Sequence, residues 1–119
     1  MDGFAPQYDD QECRLWDAEE LLWAAGLFEG EGCITISGKY ARLKLNSTDE
    51  DVVRRFHRAI GFGQVRVEDA QIKHGYKRQW EWYMAAQAEV QLVLMELIPY
   101  LGARRRARAH EVLSHILNR

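Results

Sequence analysis

Residues 23–34 read WAAGLFEGEGCI, and this stretch decides the fold because it places glycines and carboxylates where a helix gives way to a strand. Inside a helix a glycine costs about 1 kcal/mol relative to alanine, so Gly26 and Gly30 need a compensating reason. They are four residues apart and share one helix face, which would let a second helix pack closely against the first. A simpler alternative is that Gly30 and Gly32 only end the helix and open the strand.

The helix that leads into this stretch is predicted to begin at Asp17. Asp17 followed three residues later by Glu20 forms a capping-box pattern, in which each side chain can bind a backbone N–H of the first turn. Trp16, just before the cap, can pack onto Leu21. These signals predict a helix from Asp17 through to Gly30.

The rest of the chain alternates between the periodicities of strands and helices. Two hairpins are predicted from alternating apolar and polar residues: Ile34 to Leu45 around Gly38, and Val65 to Met84 around the basic loop IKHGYKR (72–78). Three more helices are predicted from apolar residues at helical spacing: Thr48 to Gly61, Glu89 to Ile98 before Pro99, and about Ala103 to Leu117. This order predicts an α+β fold with a four-stranded antiparallel sheet.

The composition predicts a single folded domain. Of 119 residues, 47% are hydrophobic, and four Trp and five Tyr argue against a disordered polypeptide. No apolar run reaches the ~20 residues that a membrane helix needs, and no secretory signal is visible, so we expect a cytoplasmic protein. The first 20 residues hold seven acids and one base, whereas the remainder holds fifteen bases and eleven acids. We therefore expect an acidic arm (1–16) before a mildly basic domain (17–119).

The two cysteines, Cys13 and Cys33, form no CxxC pair and have no spacing that would suit a zinc site. We expect both to be reduced and Cys33 to lie in the core. The four histidines show no metal-binding spacing, so no role is assigned to them.

Residues 24–32, AAGLFEGEG, resemble the nine-residue motif that names the LAGLIDADG homing endonucleases. Two further segments are similar to that family: IPYLGARRRARA (98–109) resembles its PYL signature followed by basic residues, and AIGFGQV (59–65) resembles its link into the third strand. The predicted order resembles the family's αββαββα domain, here αββαββα(α), with a saddle-shaped sheet. The resemblance implies a protein of the single-motif type, which acts as a homodimer.

The resemblance also implies a catalytic site built around two residues. The metal-binding carboxylate is the eighth residue of the family's motif, which is Glu31 here, and Mg²⁺ is the implied ion. The basic residue of the family's catalytic pocket matches Arg104, which stays protonated and would stabilise charge on the phosphate. Asn46 or Ser47 lies where the family often has a polar residue that positions water.

A homodimer would complete such a site, because a lone carboxylate binds a metal poorly and a symmetric partner brings a second Glu31. The predicted interface lies on the first helix and comprises Ala25, Gly26, Glu29 and Gly30. Glu29, the sixth residue of the motif, is expected to lie against the helix and not at the phosphate.

Polar side chains of the two hairpins are predicted to form the DNA-binding surface, because alternate residues of a strand project from the same face. A β-sheet can enter the major groove, where Arg reads guanine and Asn or Gln reads adenine. Any one of these residues could be a solvated surface residue, but the set on one face favours DNA. The predicted contacts are Arg42, Lys44, Asn46, Gln64, Arg66 and Gln79, with Glu81 and Tyr83 as further candidates and Lys77 and Arg78 from the loop.

Four arginines crowd the start of the last helix: Arg104, Arg105, Arg106 and Arg108. The helix dipole disfavours cations at this end, and a bound phosphate would offset that cost. On this reasoning Arg105 is a further predicted DNA contact. The alternative is a solvated basic face that forms salt bridges with the acidic arm.

Two functions are compatible with the sequence. The first is a site-specific endonuclease that hydrolyses double-stranded DNA as a homodimer with divalent metal. The second is a DNA-binding protein that keeps the scaffold without cutting, as a regulator or an intron-splicing helper would. The net charge of −2, and Arg where the family often has Lys, favour the second.

Overall fold

The computed structural model describes residues 16–69 and 72–118. The helices are α1 (Ala18–Glu31), α2 (Glu50–Ile60), α3 (Gln87–Leu97) and α4 (Ala103–Leu117), and the strands are β1 (Gly32–Ser37), β2 (Tyr40–Ser47), β3 (Gln64–Glu68) and β4 (Gln79–Met84). Short 3₁₀ turns lie at Ile72–His74 and Ile98–Tyr100. The predicted α+β order is confirmed. No helix of the described ranges is both long and apolar enough to cross a membrane.

The predicted acidic arm lies outside the described residues except for its last residue, Trp16. The indole N–H of Trp16 donates to the carbonyl of Ile60 at 2.6 Å, and its ring meets Phe62 edge to face. Trp16 is therefore held against the end of α2. Cys13 also lies outside the described part of the chain.

The four strands form one antiparallel sheet in the order β1-β2-β4-β3, so the two predicted hairpins pair through β2 and β4. In this central pair Leu43 lies opposite Met84 and Leu45 opposite Trp82, and all four side chains are buried. Helices cover this apolar face, and the alternate residues leave a polar face on the other side.

Aromatic side chains join α1, α2 and β4 at the centre of the core. The rings of Phe56 and Trp82 meet edge to face, with centroids 4.8 Å apart, and Phe28 stacks on Phe56 at 6.2 Å. The buried indole N–H of Trp82 donates to the carbonyl of Phe62 at 2.9 Å. The last turn of α1 is thus packed against the middle of the sheet through α2.

The helix ends follow the sequence signals closely. Asp17 caps α1, because its carboxylate accepts the Glu20 N–H at 2.9 Å. Gly61 ends α2 in the left-handed conformation, at φ +84°, where L-residues are strained. The N-cap of α2 is Asp49 and not Thr48, and the Ser47 hydroxyl accepts its N–H at 3.0 Å.

The prediction that Cys33 lies in the core is wrong. Strand β1 begins at Gly32, and its inward positions are Gly32, Ile34 and Ile36. Cys33 therefore projects from the polar face, where it is exposed as a free thiol opposite Lys44. The strand's first residue decides this, because a shift of one position exchanges the two faces.

The second hairpin is only partly covered by helices. Val65 packs against the core, whereas Val67, two residues further along the same face, is 47% exposed. The alternating pattern of β3 correctly placed Val65 and Val67 on the same face of the sheet. It could not show how far along the strand the helices cover that face.

Gly32 is required by space and not by backbone conformation. Its φ of −75° suits any residue, but a Cβ atom there would overlap the ring of Phe28. We expect Gly32→Ala to lower the free energy of unfolding by about 1–3 kcal/mol, as overpacking does. Urea unfolding of Gly32→Ala, Phe28→Leu and the double variant checks this. The double variant should lose less than the sum of the single losses, because the smaller side chain makes room, and strictly additive losses would contradict the explanation.

Candidate active site and nucleic-acid interface

Glu31 stands at the junction where α1 turns directly into β1. It is the last residue of the helix, and its side chain is exposed. The register pairs Gly32, the residue after Glu31, with Leu45, the residue before Asn46, and the ladder between β1 and β2 ends at this pair. The Asn46 amide donates weakly to Gln79 at 3.4 Å, whereas the Ser47 hydroxyl is engaged in the turn into α2. Asn46 and Ser47, the two residues left open by the sequence, both lie at the end of β2 that adjoins Gly32.

The N-terminus of α4 packs against this junction, and each of the two helices caps the end of the other, an arrangement called here the exchange of caps. The Glu29 carboxylate accepts the N–H of Gly102, the N-cap of α4, at 2.8 Å. In return Arg105 donates its Nε to the Glu29 carbonyl at 2.6 Å and its Nη1 to the Gly32 carbonyl. The last turn of α1 has no basic residue and the first turn of α4 no acidic one. Each helix end thus receives its complementary charge from the other helix.

This exchange already supplies a carboxylate at the start of α4, where a phosphate was predicted. The Glu29 carboxylate already occupies the N-terminal end, and Arg105, predicted as a DNA contact, is held inside the junction with 19% of its side chain exposed. Arg106 donates to the Leu101 carbonyl, and Arg108 to Ile34 and Glu111. Salt bridges to the acidic arm would fall outside the described residues.

Arg104 is left facing solvent beside the junction. Of the four arginines it has no hydrogen-bond or ion-pair partner within residues 16–69 and 72–118. It lines an open cleft of about 350 Å³ together with Gly32, Cys33, Ile34, Arg105 and Arg108. The predicted catalytic cation therefore lies next to the residue that follows Glu31.

One chain offers a divalent ion a single carboxylate at this junction. Glu29 is bound to Gly102, so Glu31 is the exposed oxygen donor, and no group of three or more His, Cys, Asp or Glu side chains clusters in the described ranges. Mg²⁺ is commonly held by one or two carboxylates plus waters and substrate phosphates. The donor set fits Mg²⁺ once DNA phosphates and a second chain supply the remaining oxygens.

On β3 and β4 the polar face of the sheet carries side chains that bind one another. Arg66 donates to Glu81 at 2.6 Å and lies 4.2 Å over the ring of Tyr83, whose hydroxyl bonds Gln64 at 2.6 Å. The hydrogen bond to Glu81 raises the pKa of Arg66 above its usual range. Glu81 is only 4% exposed, although it lies on the outer face. The Arg66 side chain, in contrast, is 52% exposed and remains available to a ligand.

The other half of the polar face carries unpaired cations. Arg42 of β2 is exposed, Lys44 is half-buried, and neither has an ion-pair partner in the described part of the chain. Lys77 and Arg78 are likewise exposed in the loop before β4. The structure thus collects the sheet residues predicted for DNA binding on one face. Arg105 stands apart from them at the α1–β1 junction.

The exposed stripe of α1 contains two of the four residues predicted for the interface, since Ala25 is buried and the Glu29 carboxylate is bound to Gly102. Gly26 and Gly30 are exposed, and a Cβ at either position would meet nothing within 4 Å. Ala25 is fully buried in the core of its own chain and has no surface to offer, which corrects its assignment to the interface. Leu22, one turn before Gly26, is 55% exposed. The stripe is therefore formed by Leu22, Gly26 and Gly30.

This arrangement is the fold of the LAGLIDADG homing endonucleases, which confirms the predicted resemblance at the level of the fold. The chain is similar to the homing endonuclease I-CvuI in complex with its target in the presence of Ca²⁺, with 22% identity, a TM-score of 0.69, and coverage of 85% of this chain and 69% of that one. The archaeal intron-encoded homing endonuclease I-Vdi141I complexed with DNA has 11% identity, a TM-score of 0.64, and coverage of 85% and 70%.

A second structure of I-CvuI holds the I-CreI target with Mg²⁺ and uncleaved DNA, and it matches this chain with 22% identity, a TM-score of 0.67, and coverage of 84% and 67%. No protein-family model matches the sequence, and no similar protein is found among the curated ones. The similarity therefore lies in the architecture more than in the residues.

The ion pair of Arg66 and Glu81 should contribute to stability, because Glu81 is buried. We expect Arg66→Met to lower the free energy of unfolding by about 1–3 kcal/mol, since it leaves a buried carboxylate without its partner. Arg42→Met is the matched control on the same face and should stay within about 0.5 kcal/mol of the parent, because Arg42 has no such partner. Urea unfolding decides, and equal losses would contradict the pairing.

Proposed function

We propose that this chain is a site-specific endonuclease that cuts double-stranded DNA as a homodimer with a divalent metal ion such as Mg²⁺. The observation that carries the proposal is the exposed Glu31 at the α1–β1 junction. Arg104 lines a cleft with the next residue, Gly32, and Asn46 follows Leu45, the strand partner of Gly32. The solved structures with this fold include homing endonucleases bound to DNA, which supports the same substrate here.

The polar sheet face is the proposed DNA-binding surface. Arg42 and Lys44 bring unneutralised charge, which can displace the counterions that surround the phosphates. Arg66, aligned by Glu81 over Tyr83, presents the remaining donors of its guanidinium in a fixed direction, as recognition of a guanine edge requires. The net charge of −2 does not oppose this surface, because the excess of acids over bases lies in the first 20 positions and the remainder holds fifteen bases and eleven acids.

Hydrolysis of a phosphodiester needs an activated water, neutralisation of the developing charge, and a stabilised leaving oxygen. A bound divalent ion supplies Lewis acidity and lowers the pKa of water. The role of Glu31 is to hold that ion with a carboxylate oxygen. Arg104 stays protonated at working pH, so it stabilises charge on the phosphate and transfers no proton. The side-chain amide of Asn46 can orient a water molecule by donating or accepting a hydrogen bond.

The proposed dimer follows from the single carboxylate of each chain and from the stripe of Leu22, Gly26 and Gly30. A symmetric contact of two α1 helices would bring two copies of Glu31 to the same end of the helix pair. The glycines allow the two backbones to approach closely, and this offsets the helix propensity that they lose.

Glu31→Gln tests the proposed chemistry, because it removes the charge and keeps the size of the side chain. We expect cleavage of a target selected from a randomised duplex library to fall by roughly two orders of magnitude or more on both strands, with binding retained. Glu29→Gln is the matched control: it should lower stability by about 1 kcal/mol through the weakened cap of α4, with a smaller effect on rate.

The parent protein separates the two functions left open by the sequence. If it binds a defined duplex tightly and never cuts it with any divalent ion, the endonuclease proposal fails. A non-cutting DNA-binding protein, acting as a regulator or a splicing helper, then takes its place.

Gly26→Leu tests the dimer. The added side chain meets open space in the single chain, so the variant should keep its helical circular dichroism while light scattering shows monomers. Ala88→Leu, at an exposed position of α3, adds similar bulk elsewhere and should leave the dimer intact. A parent protein that is monomeric with and without DNA, or a Gly26→Leu variant that stays dimeric, would rule out this interface.

A further inference from the structure

Arg105 reaches from α4 to the α1–β1 junction and binds the backbone on both sides of Glu31. Its Nε donates to the carbonyl of Glu29 at 2.6 Å, two residues before Glu31, and its Nη1 donates to the carbonyl of Gly32, the residue after it. The side chain is 19% exposed, so it is mostly withdrawn from solvent. One guanidinium therefore spans the segment that carries the candidate metal ligand.

The backbone at this point is held by sheet pairing of Gly32 with Leu45 and by hydrogen bonds to the last carbonyls of α1. The last carbonyls of a helix lack partners inside the helix, and here the chain passes into extended structure at Gly32 without a left-handed residue. The Gly32 N–H bonds the Phe28 carbonyl, and Arg105 takes the carbonyl of Glu29. Because the guanidinium is planar and its donors have a fixed geometry, it fixes the spacing of the two carbonyls that it binds.

A second bond closes the connection between the two elements. The Glu29 carboxylate accepts the Gly102 N–H at 2.8 Å and lies 4.0 Å from the Nε of Arg105. A Cβ at Gly102 would come to 3.0 Å from Glu29 Oε2, so this close approach favours glycine. Glu29 and Arg105 thus hold each other's helix, and Glu31 lies between the two carbonyls bound by Arg105.

We propose that Arg105 is a positioning residue: it fixes the direction of the Glu31 carboxylate and thereby sets the affinity of the site for a divalent ion, without contacting the ion or the DNA. This inference rests on the proposed role of Glu31 as a metal ligand. It also gives Arg105 a role different from the DNA contact that the sequence suggested, and the two roles differ in what they do to DNA affinity.

The test measures Ca²⁺ binding to the full chain in complex with its selected duplex, by calorimetry, for the parent, Arg105→Gln and Arg105→Lys. We expect Arg105→Gln to weaken Ca²⁺ binding by about 10- to 100-fold, the usual effect of removing a group that orients a metal ligand. Arg105→Lys should recover only part of the lost Ca²⁺ affinity. It restores a cationic donor, but a single ammonium cannot hold both carbonyls in a fixed geometry. Duplex affinity in EDTA should change by less than about twofold, since Arg105 neutralises no phosphate.

Arg108→Gln is the matched control, because Arg108 also bonds a β1 carbonyl from α4, that of Ile34, three residues beyond Glu31. Its Ca²⁺ affinity should stay within about twofold of the parent, as expected for a group that supports no ligand. Urea unfolding shows which variants fold. If Arg105→Gln does not fold, the Ca²⁺ affinity of Arg105→Lys is compared with that of the parent instead. An equal loss of Ca²⁺ affinity in Arg108→Gln would overturn the inference in favour of general loosening of the junction.

A double-mutant cycle with Glu31→Gln shows whether Arg105 acts through Glu31. In the Glu31→Gln background, Arg105→Gln should have no further effect on Ca²⁺ binding, and a full additional loss would overturn the inference. Unchanged Ca²⁺ affinity in Arg105→Gln, or weaker duplex binding in EDTA, would also overturn it. A parent complex that binds Ca²⁺ and never cuts would refute only the endonuclease function. If Glu31→Gln leaves Ca²⁺ binding unchanged, the metal site and this inference are both refuted.

Discussion

The exchange of caps between α1 and α4 is the interaction on which the candidate site depends. Glu29 of α1 closes the N-terminus of α4, and Arg105 of α4 binds the carbonyls at the end of α1. Interactions at helix ends contribute roughly 0.5–2 kcal/mol each, a useful share of the stability of a small domain. The same bonds join the end of α1 and the start of β1 to the N-terminus of α4, so they connect the segment that carries Glu31 with the one that carries Arg104.

Much of the fold could be predicted because its signals are local. Asp17 and Glu20 mark the start of α1, and Gly61 ends α2, each within one turn of the feature that it controls. The two hairpins follow from alternating side chains, and the register of the sheet places the predicted polar residues on one face. Glu31 and Arg104 were found through resemblance to a motif, and the structure places Arg104 beside the residue that follows Glu31.

The remaining features depend on contacts that no local pattern encodes. The bond from Arg105 to Glu29 joins residues 76 positions apart, so four arginines at a helix start looked like a phosphate site. The exposure of Cys33 depends on the single residue at which β1 begins, and the burial of Ala25 on the rotation of α1 about its axis. Glu81 is buried on a polar face, where it pairs with Arg66, and only the register of β3 and β4 places these two residues opposite each other.

The proposed dimer and the proposed metal site depend on each other physically. The stripe of Leu22, Gly26 and Gly30 ends one residue before Glu31, so the proposed contact along the stripe would bring two carboxylates close together. Like charges at short range disfavour each other, and a divalent cation at the same place offsets that repulsion. A single chain has neither the repulsion nor the second ligand, which is why its one exposed carboxylate forms no complete site. On this argument the close approach permitted by the glycines would place two carboxylates side by side. Their mutual repulsion favours a bound cation, and their oxygen atoms can bind it.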